Sequence, residues 1–323
     1  MVEFKDIEAA AERLAPVIVE TPLLRSAALD EVAGGAIWIK PENLQVTGSF
    51  KFRGAYNMMS QLATEEAKRG VVAFSSGNHA QAVAACGSML GIETTIVMPE
   101  DAPTIKIENT RRLGGKIVFF DRYSEDREAI TQKIAAEKDS VVVPAFDHEH
   151  IIAGQGTVGL ELMRQCRYHG VTPDQVLVSC SGGGLISGTA LAIKTISPDT
   201  IVYPVEPEDF DDTARSLISG ERERNDPAAR SICDALQTES PGKLTFPINR
   251  EVLSAGLVVS DDEVRDAIRF AFRHLKLVVE PGGAVSLAAV LAGKIETHDR
   301  VTAIVLSGGN IDVELFASIQ KEQ

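Results

Sequence analysis

The sequence predicts an α/β protein built as two open, twisted lobes with a ligand cleft between them. Three observations carry that reading. Short β-branched runs alternate with segments whose apolar residues fall at helical spacing. The alternation appears twice, in the first half of the chain and again from "QVLVSC" (175–180) onward. A chain of 323 residues is also longer than a single hydrophobic core usually serves.

The N-terminal "MVEFKDIEAAAERL" is charged and helical in pattern. "VVAF" (71–74), "TTIVM" (94–98), "KIVFF" (116–120) and "SVVVPAF" (140–146) then read as strands. Between them lie "NHAQAVAACGSML", "APTIKIENTRRLGG" and "SEDREAITQKIAAEK", each with helical periodicity. Glycine pairs and Pro99 mark the turns. Regular alternation of this kind gives a parallel sheet with helices on both faces. The second series is "QVLVSC", a helix from about 184, "IVYPVE" (201–206) and "TAIVL" (302–306). Residues 207–246, rich in Asp, Arg, Ser and Pro, read as an irregular excursion. "DDEVRDAIRFAFRHL" from Asp261 opens acidic and closes basic, which suits a helix dipole. The division expected is a large domain of residues 1–62 and 147–323 with a small domain, 63–146, inserted in it.

Composition narrows the function. With 32 basic and 46 acidic residues the net charge is −14, which argues against nucleic acid or an anionic membrane as a partner, since both require a basic face. Cys86, Cys166, Cys180 and Cys233 form no C-x-x-C pair and read as buried free thiols of a reducing compartment. There is no signal-peptide core and no apolar run near the ~18 residues of a membrane span. A cytoplasmic enzyme acting on a small molecule is the expectation.

Three junctions carry chemistry. "SCSGGGLISGTALAI" (179–193) follows a strand and opens a helix. Its three glycines let the backbone approach a phosphate, and the helix start adds free N–H donors. A tight turn is the plainer explanation. Dinucleotide binding fits poorly, because with Gly182 and Gly184 as the first two glycines the third falls on Ser187. "FSSGNHAQAV" (74–83) is a second such start, where two hydroxyls, an amide and an imidazole could receive a small carboxylate. "IVLSGGNID" (304–312) repeats the theme, though a β-turn accounts for it. Lys51 sits in "QVTGSFKFRGA" (45–55) among glycines, a serine and two phenylalanines, an unusual setting for a lysine on the surface. A phosphate-bearing cofactor attached to Lys51, with an amino acid's carboxylate held opposite, would use all of these parts.

The motifs "SFKFRGA", "SSGNHAQA", "AGQGT" (153–157), "SGGGLISG", "VEPGGA" (279–284) and "LSGGN" (306–310) resemble those of the fold-type II pyridoxal-phosphate enzymes, specifically the serine racemase and threonine/serine dehydratase family. The resemblance implies a tryptophan synthase β-like fold. Lys51 would carry the cofactor and act as the base on one face of Cα, with Phe50 packed beside the ring. Asn78 would meet the ring's 3-oxygen, Ser307 the pyridine nitrogen, and Ser181, Gly182, Gly183, Gly184 and Leu185 the phosphate. Ser75 and His79 would hold the substrate carboxylate, and Ser76 falls where family racemases keep the base of the opposite face. The implied reaction is dehydration and deamination of L-threonine or L-serine. Serine or aspartate-type racemisation, with Lys51 and Ser76 as the two bases, is an alternative.

Family members that bind Mg²⁺, Ca²⁺ or Mn²⁺ use a glutamate, a carbonyl four residues on and an aspartate six on. In "VEPEDFDDTA" (205–214) these are Glu206, Phe210 and Asp212, oxygen ligands that suit a hard cation; a solvated acidic loop is the plainer reading. Arg127 matches a position where racemase-like members turn an arginine inward. There its fork could pair with a distal carboxylate and favour 3-hydroxyaspartate. On the helix surface it would need no such role. The family is commonly homodimeric.

Overall fold

Two sheets form in the computed structural model, which describes residues 2–322 apart from Ser76, Pro103 and Arg122. The strands are β1 (Leu24–Arg25), β2 (Ala36–Pro41), β3 (Val71–Phe74), β4 (Thr94–Pro99), β5 (Lys116–Phe120), β6 (Val141–Val142), β7 (Gln175–Ser179), β8 (Ile201–Pro207), β9 (Leu257–Val259) and β10 (Val301–Leu306). One sheet has the order β1-β2-β10-β7-β8-β9 and the other β5-β4-β3-β6. All pairings are parallel except β1 with β2. Strands covered on both faces should be apolar almost throughout, and β7 and β4 are buried at every position.

The expected strands fall within a residue or two of the observed ones, with one exception. Residues 140–146 pair only at Val141 and Val142. Val143 still donates to the Val72 carbonyl, but Pro144 has no N–H to continue the ladder, so the chain leaves the sheet and carries Ala145 and Phe146 into the cleft. The excursion at 207–246 contains the helix Asp212–Ser219 and a 3₁₀ turn, Asp234–Leu236. The helix from Asp261 is α-helical to Phe270 and π-helical over Ala271–Leu275.

What positions the cleft is a three-helix contact beneath it. The helix Glu149–Tyr168 packs on both Lys51–Met59 and Gly184–Ile196, and glycines set the spacing. A Cβ on Gly154 would lie 2.6 Å from the Arg53 carbonyl, and one on Gly156 2.9 Å from that of Gly188. No larger side chain fits such a contact. The helix bearing Lys51 and the helix opened by the triglycine bend are thereby registered against one scaffold.

A buried charge network pins the same helices. The Arg53 guanidinium donates to both oxygens of Glu42 at 2.7 and 2.8 Å, to both of Glu161 at 2.7 and 2.9 Å, and to Thr157. Lys40 donates to Glu161, Gln165 and the Thr21 carbonyl. Two cations balance two carboxylates, and Arg53, Lys40 and Glu42 are fully buried. Such a set is stable because every donor and acceptor is matched. All four cysteines are free and buried. No helix is long and apolar enough to cross a membrane among the described residues.

Candidate active site

The cleft lies at the carboxyl ends of strands from both sheets and is about 1040 Å³ including its mouth, enough for a cofactor and a small substrate together. Lys51 is the first residue of the helix Lys51–Met59. It is delivered by a strained turn in which Thr47 (φ 63°, ψ 13°) and Gly48 (φ 72°) take left-handed conformations. Its Nζ points into the cleft, 2.8 Å from the Ala145 carbonyl and 5.2 Å from the centre of the Phe50 ring. Burial lowers its ammonium to about 8, with Glu280 pulling the other way. An amine so shifted is partly neutral near physiological pH and therefore nucleophilic.

Opposite it, Ser181, Gly182, Gly183, Gly184 and Leu185 line the cleft. Gly183 caps the helix Gly184–Ile196 with φ 92°, which a residue with a Cβ adopts only at a cost. A Cβ there would also meet Asn249 Nδ2 at 2.7 Å and Thr245 Oγ1 at 2.9 Å, and one on Gly182 would collide with the Phe146 ring. The bend is thus built of bare backbone opening a helix, a form suited to an anion. Ser181 Oγ lies 2.9 Å from Thr238 Oγ1.

Ser75, Asn78 and His79 also face the cleft; Ser76 lies outside the described residues. Ser75 Oγ accepts from Gly77 N at 3.1 Å. His79 is buried. Its Nε2 is 2.8 Å from the Val143 carbonyl, which can only accept, so Nε2 carries the proton and the donor is already used. Burial, then the Lys51 ammonium, lowers its pKa to about 3. In this geometry the ring is neutral and its N–H is committed to the Val143 carbonyl. Ser307, just beyond β10, is buried in the cleft wall, and its hydroxyl makes a 3.5 Å contact with the Gly282 carbonyl.

Arg127 opens the helix Arg127–Lys138, is exposed, and lines the mouth of the cleft, its guanidinium 5.0 Å from the Phe74 ring centre. Glu206, Phe210 and Asp212 lie outside the cleft lining and are all buried. Glu206 accepts from Thr213 N and Ala214 N at 3.0 and 2.8 Å. Asp212 Oδ1 accepts from Asn225, and its Oδ2 has no partner among the described residues. Burial raises both carboxyls, Asp212 to about 7. Among the described residues no three His, Cys, Asp or Glu side chains converge on a metal position.

Four further residues, Glu280, Lys106, Asp234 and Asn310, were given no site role from the sequence. Glu280, from the "VEPGGA" segment, is buried in the cleft wall and bonded to Asn78; burial raises its carboxyl to about 7. Lys106 reaches Asp234 at 2.5 Å, joining a helix beside the four-stranded sheet to the excursion. Burial pulls its ammonium down, but Asp234, Glu280 and Asp312 hold it above its ordinary value. Asn310 bonds to Asn78 as well. The sequence held a signal only for Glu280 and Asn310, which lie in quoted motifs; the approach of Lys106 to Asp234 is purely tertiary.

An activated amine facing an anion cradle is the equipment for covalent chemistry on a phosphate-bearing aldehyde, and comparison with known proteins agrees. The chain is 44% identical to the L-threo-3-hydroxyaspartate ammonia-lyase of Pseudomonas sp, covering 98% of each chain. It is 40% identical to the serine racemase of Schizosaccharomyces pombe, over 97% of this chain and 96% of that one. The solved structure of maize serine racemase superposes with a TM-score of 0.92 at 37% identity, covering 99% and 97% of the two chains. The sequence pattern of the pyridoxal-phosphate dependent enzymes matches residues 14–308, and this chain belongs to that family.

Proposed function

We propose that this enzyme dehydrates and deaminates a β-hydroxy amino acid, releasing a 2-oxo acid and ammonia, and that 3-hydroxyaspartate suits its cleft better than L-threonine or L-serine. The observation that carries the choice of substrate is Arg127, a guanidinium at the cleft mouth stacked over Phe74. A distal carboxylate would give that fork a bidentate partner. The 44% identity to an L-threo-3-hydroxyaspartate ammonia-lyase supports the same choice.

The residues fit pyridoxal phosphate. Lys51 Nζ would hold it covalently, the bare backbone of residues 181–185 its phosphate, Asn78 the ring oxygen and Ser307 the ring nitrogen. When bound, the cofactor supplies an electron sink for charge developing at Cα, and a sink met by a neutral hydroxyl favours expulsion of a β-hydroxyl. Lys51 Nζ would take the Cα proton on its own face. The free N–H groups that open the helix Asn78–Leu90, with Ser75 Oγ, hold the substrate's α-carboxylate. Phe50, Phe74 and Phe146 limit water around these groups. Residues 63–146, which contain β3 to β6, act as the small domain.

Glu206, Asp212 and the Phe210 carbonyl would hold a divalent cation. The unpartnered Asp212 Oδ2 beside a second buried carboxylate supports this, because a cation would relieve two acids that burial disfavours. The cation would order the excursion and stay outside the chemistry.

The test is the ratio of kcat/KM for L-threo-3-hydroxyaspartate over L-threonine, before and after Arg127→Ala. Loss of one charge-assisted pair corresponds to about 10- to 150-fold, and the loss should fall on the dicarboxylate alone. Equal loss on both substrates would refute the assignment.

A further inference from the structure

A chain of side-chain hydrogen bonds runs across the cleft wall, and its direction is fixed by a backbone carbonyl. Asn310 Nδ2 donates to the Thr47 carbonyl at 2.8 Å and to Asn78 Oδ1 at 2.7 Å. Asn78 Nδ2 donates to Glu280 Oε1 at 2.5 Å. The Thr47 carbonyl can only accept, so the Asn310 atom facing it must be the amide nitrogen. That nitrogen also meets Asn78, so the Asn78 atom there must be the oxygen, and the nitrogen of Asn78 is the atom turned to Glu280. An NH₂ group carries two hydrogens. Glu280 takes one, and the other remains for the cleft, which Asn78 lines.

We propose that Glu280 and Asn310 are positioning residues that lock the Asn78 amide so that it presents an N–H donor, and never its oxygen, to the cofactor. The inference rests on the reading of the cleft given above. It selects for an acceptor oxygen on the ring, where an unlocked amide could turn over and offer a repelling carbonyl. Glu280 is suited to this use. It is buried, it lines the cleft, and its Oε2 has no partner among the described residues, so its visible polar contact is the one to Asn78. A Cβ on Gly308 would intrude on Oε1, so the glycine there keeps the carboxylate's seat open. Asn310 has a second task. The carbonyl it holds belongs to Thr47, in the left-handed turn that delivers Lys51, and a Cβ on Gly48 would lie 2.7 Å from Asn310 Oδ1. One side chain therefore fixes both the turn before the lysine and the amide that meets the ring.

The test compares purified holoenzymes by two readouts other than turnover: the dissociation constant of pyridoxal phosphate, and the position and pH midpoint of its visible absorption band. Glu280→Gln keeps an acceptor for Asn78 and is expected to stay within about threefold of the unmodified protein in affinity, with the band in place. Glu280→Leu removes the acceptor and should weaken binding about tenfold, the worth of one oriented hydrogen bond, and displace the band. Asn310→Asp has the same shape but no donor and should do likewise. Both variants break one chain, so the combined variant should be no worse than the more impaired single one. Equal impairment of Glu280→Gln and Glu280→Leu, additive losses, or an Asn310→Asp protein that binds and absorbs normally would each overturn the proposal. Should Glu280→Leu fail to fold, the isosteric Asn310→Asp decides alone. Failure of the unmodified protein to bind the cofactor at all would instead remove the underlying reading of the cleft.

Discussion

Replacing Arg53 with methionine tests whether the scaffold under Lys51 is held by balanced charge. The guanidinium makes five hydrogen bonds, four of them to Glu42 and Glu161, and is fully buried. Methionine fills similar space and removes one positive charge, leaving Lys40 to face two carboxylates. Breaking one side of a buried, matched set costs about 3–5 kcal/mol. At about 2 °C per kcal/mol for a chain of this size, the midpoint of thermal unfolding should fall by roughly 6–10 °C. The sign of the pH dependence separates charge from packing. In the variant an orphaned buried glutamate has a folded pKa above its unfolded value, so it gains stability as pH falls and the proton binds. The deficit relative to the unmodified protein should therefore shrink between pH 8 and pH 5. Differential scanning calorimetry at both values is the assay, with Arg53→Lys as the charge-retaining control. A midpoint within 2 °C of the unmodified protein, or a deficit independent of pH, would refute the argument.

Gly183→Ala should weaken pyridoxal phosphate binding at least tenfold, because the new methyl meets Asn249 and Thr245 and, at φ 92°, the strained bend would shift its N–H groups out of place for the phosphate. Gly220→Ala, with φ 79° and open space around it, should carry the strain alone and bind normally in the same titration. Capture of the cofactor by the cofactor-free protein should quicken with pH and level off above about 8, where the Lys51 amine is neutral; a stopped-flow rate that is flat from pH 6 to 9 would contradict this. Millimolar Mg²⁺, Ca²⁺ or Mn²⁺ should raise the unfolding midpoint, and chelation should reverse it. Asp212→Asn should abolish the rise, whereas an equal rise in that variant would exclude the site.

The parallel strands were legible because strands buried on both faces must be written in β-branched and apolar residues, as "VVAF" and "TAIVL" are. The 20-residue helix Glu149–Tyr168 was not, because Gly154, Gly156 and Gly159 read as breakers. Those glycines are there for close helix packing, which only the neighbouring backbone explains. β2 was hidden by Lys40, a charge near the end of the strand whose partners Glu161 and Gln165 lie far along the chain. In the site, Ser75 and Gly183 stood out by local chemistry at a strand end and a helix start, whereas Ser307 was implied only by the family resemblance. The hydrogen-bond state of His79 did not stand out, since its partner, Val143, lies 64 residues away. Glu280 became interpretable only once Asn78 and Asn310 stood beside it.

The most direct test of the account is to treat the holoenzyme with borohydride, digest it and weigh the peptides. The account requires the reduced cofactor's mass on the peptide that contains Lys51, and none on the same peptide when Lys51 is replaced by alanine. A label on another lysine, or no label on a protein that still releases ammonia from its substrate, would contradict it.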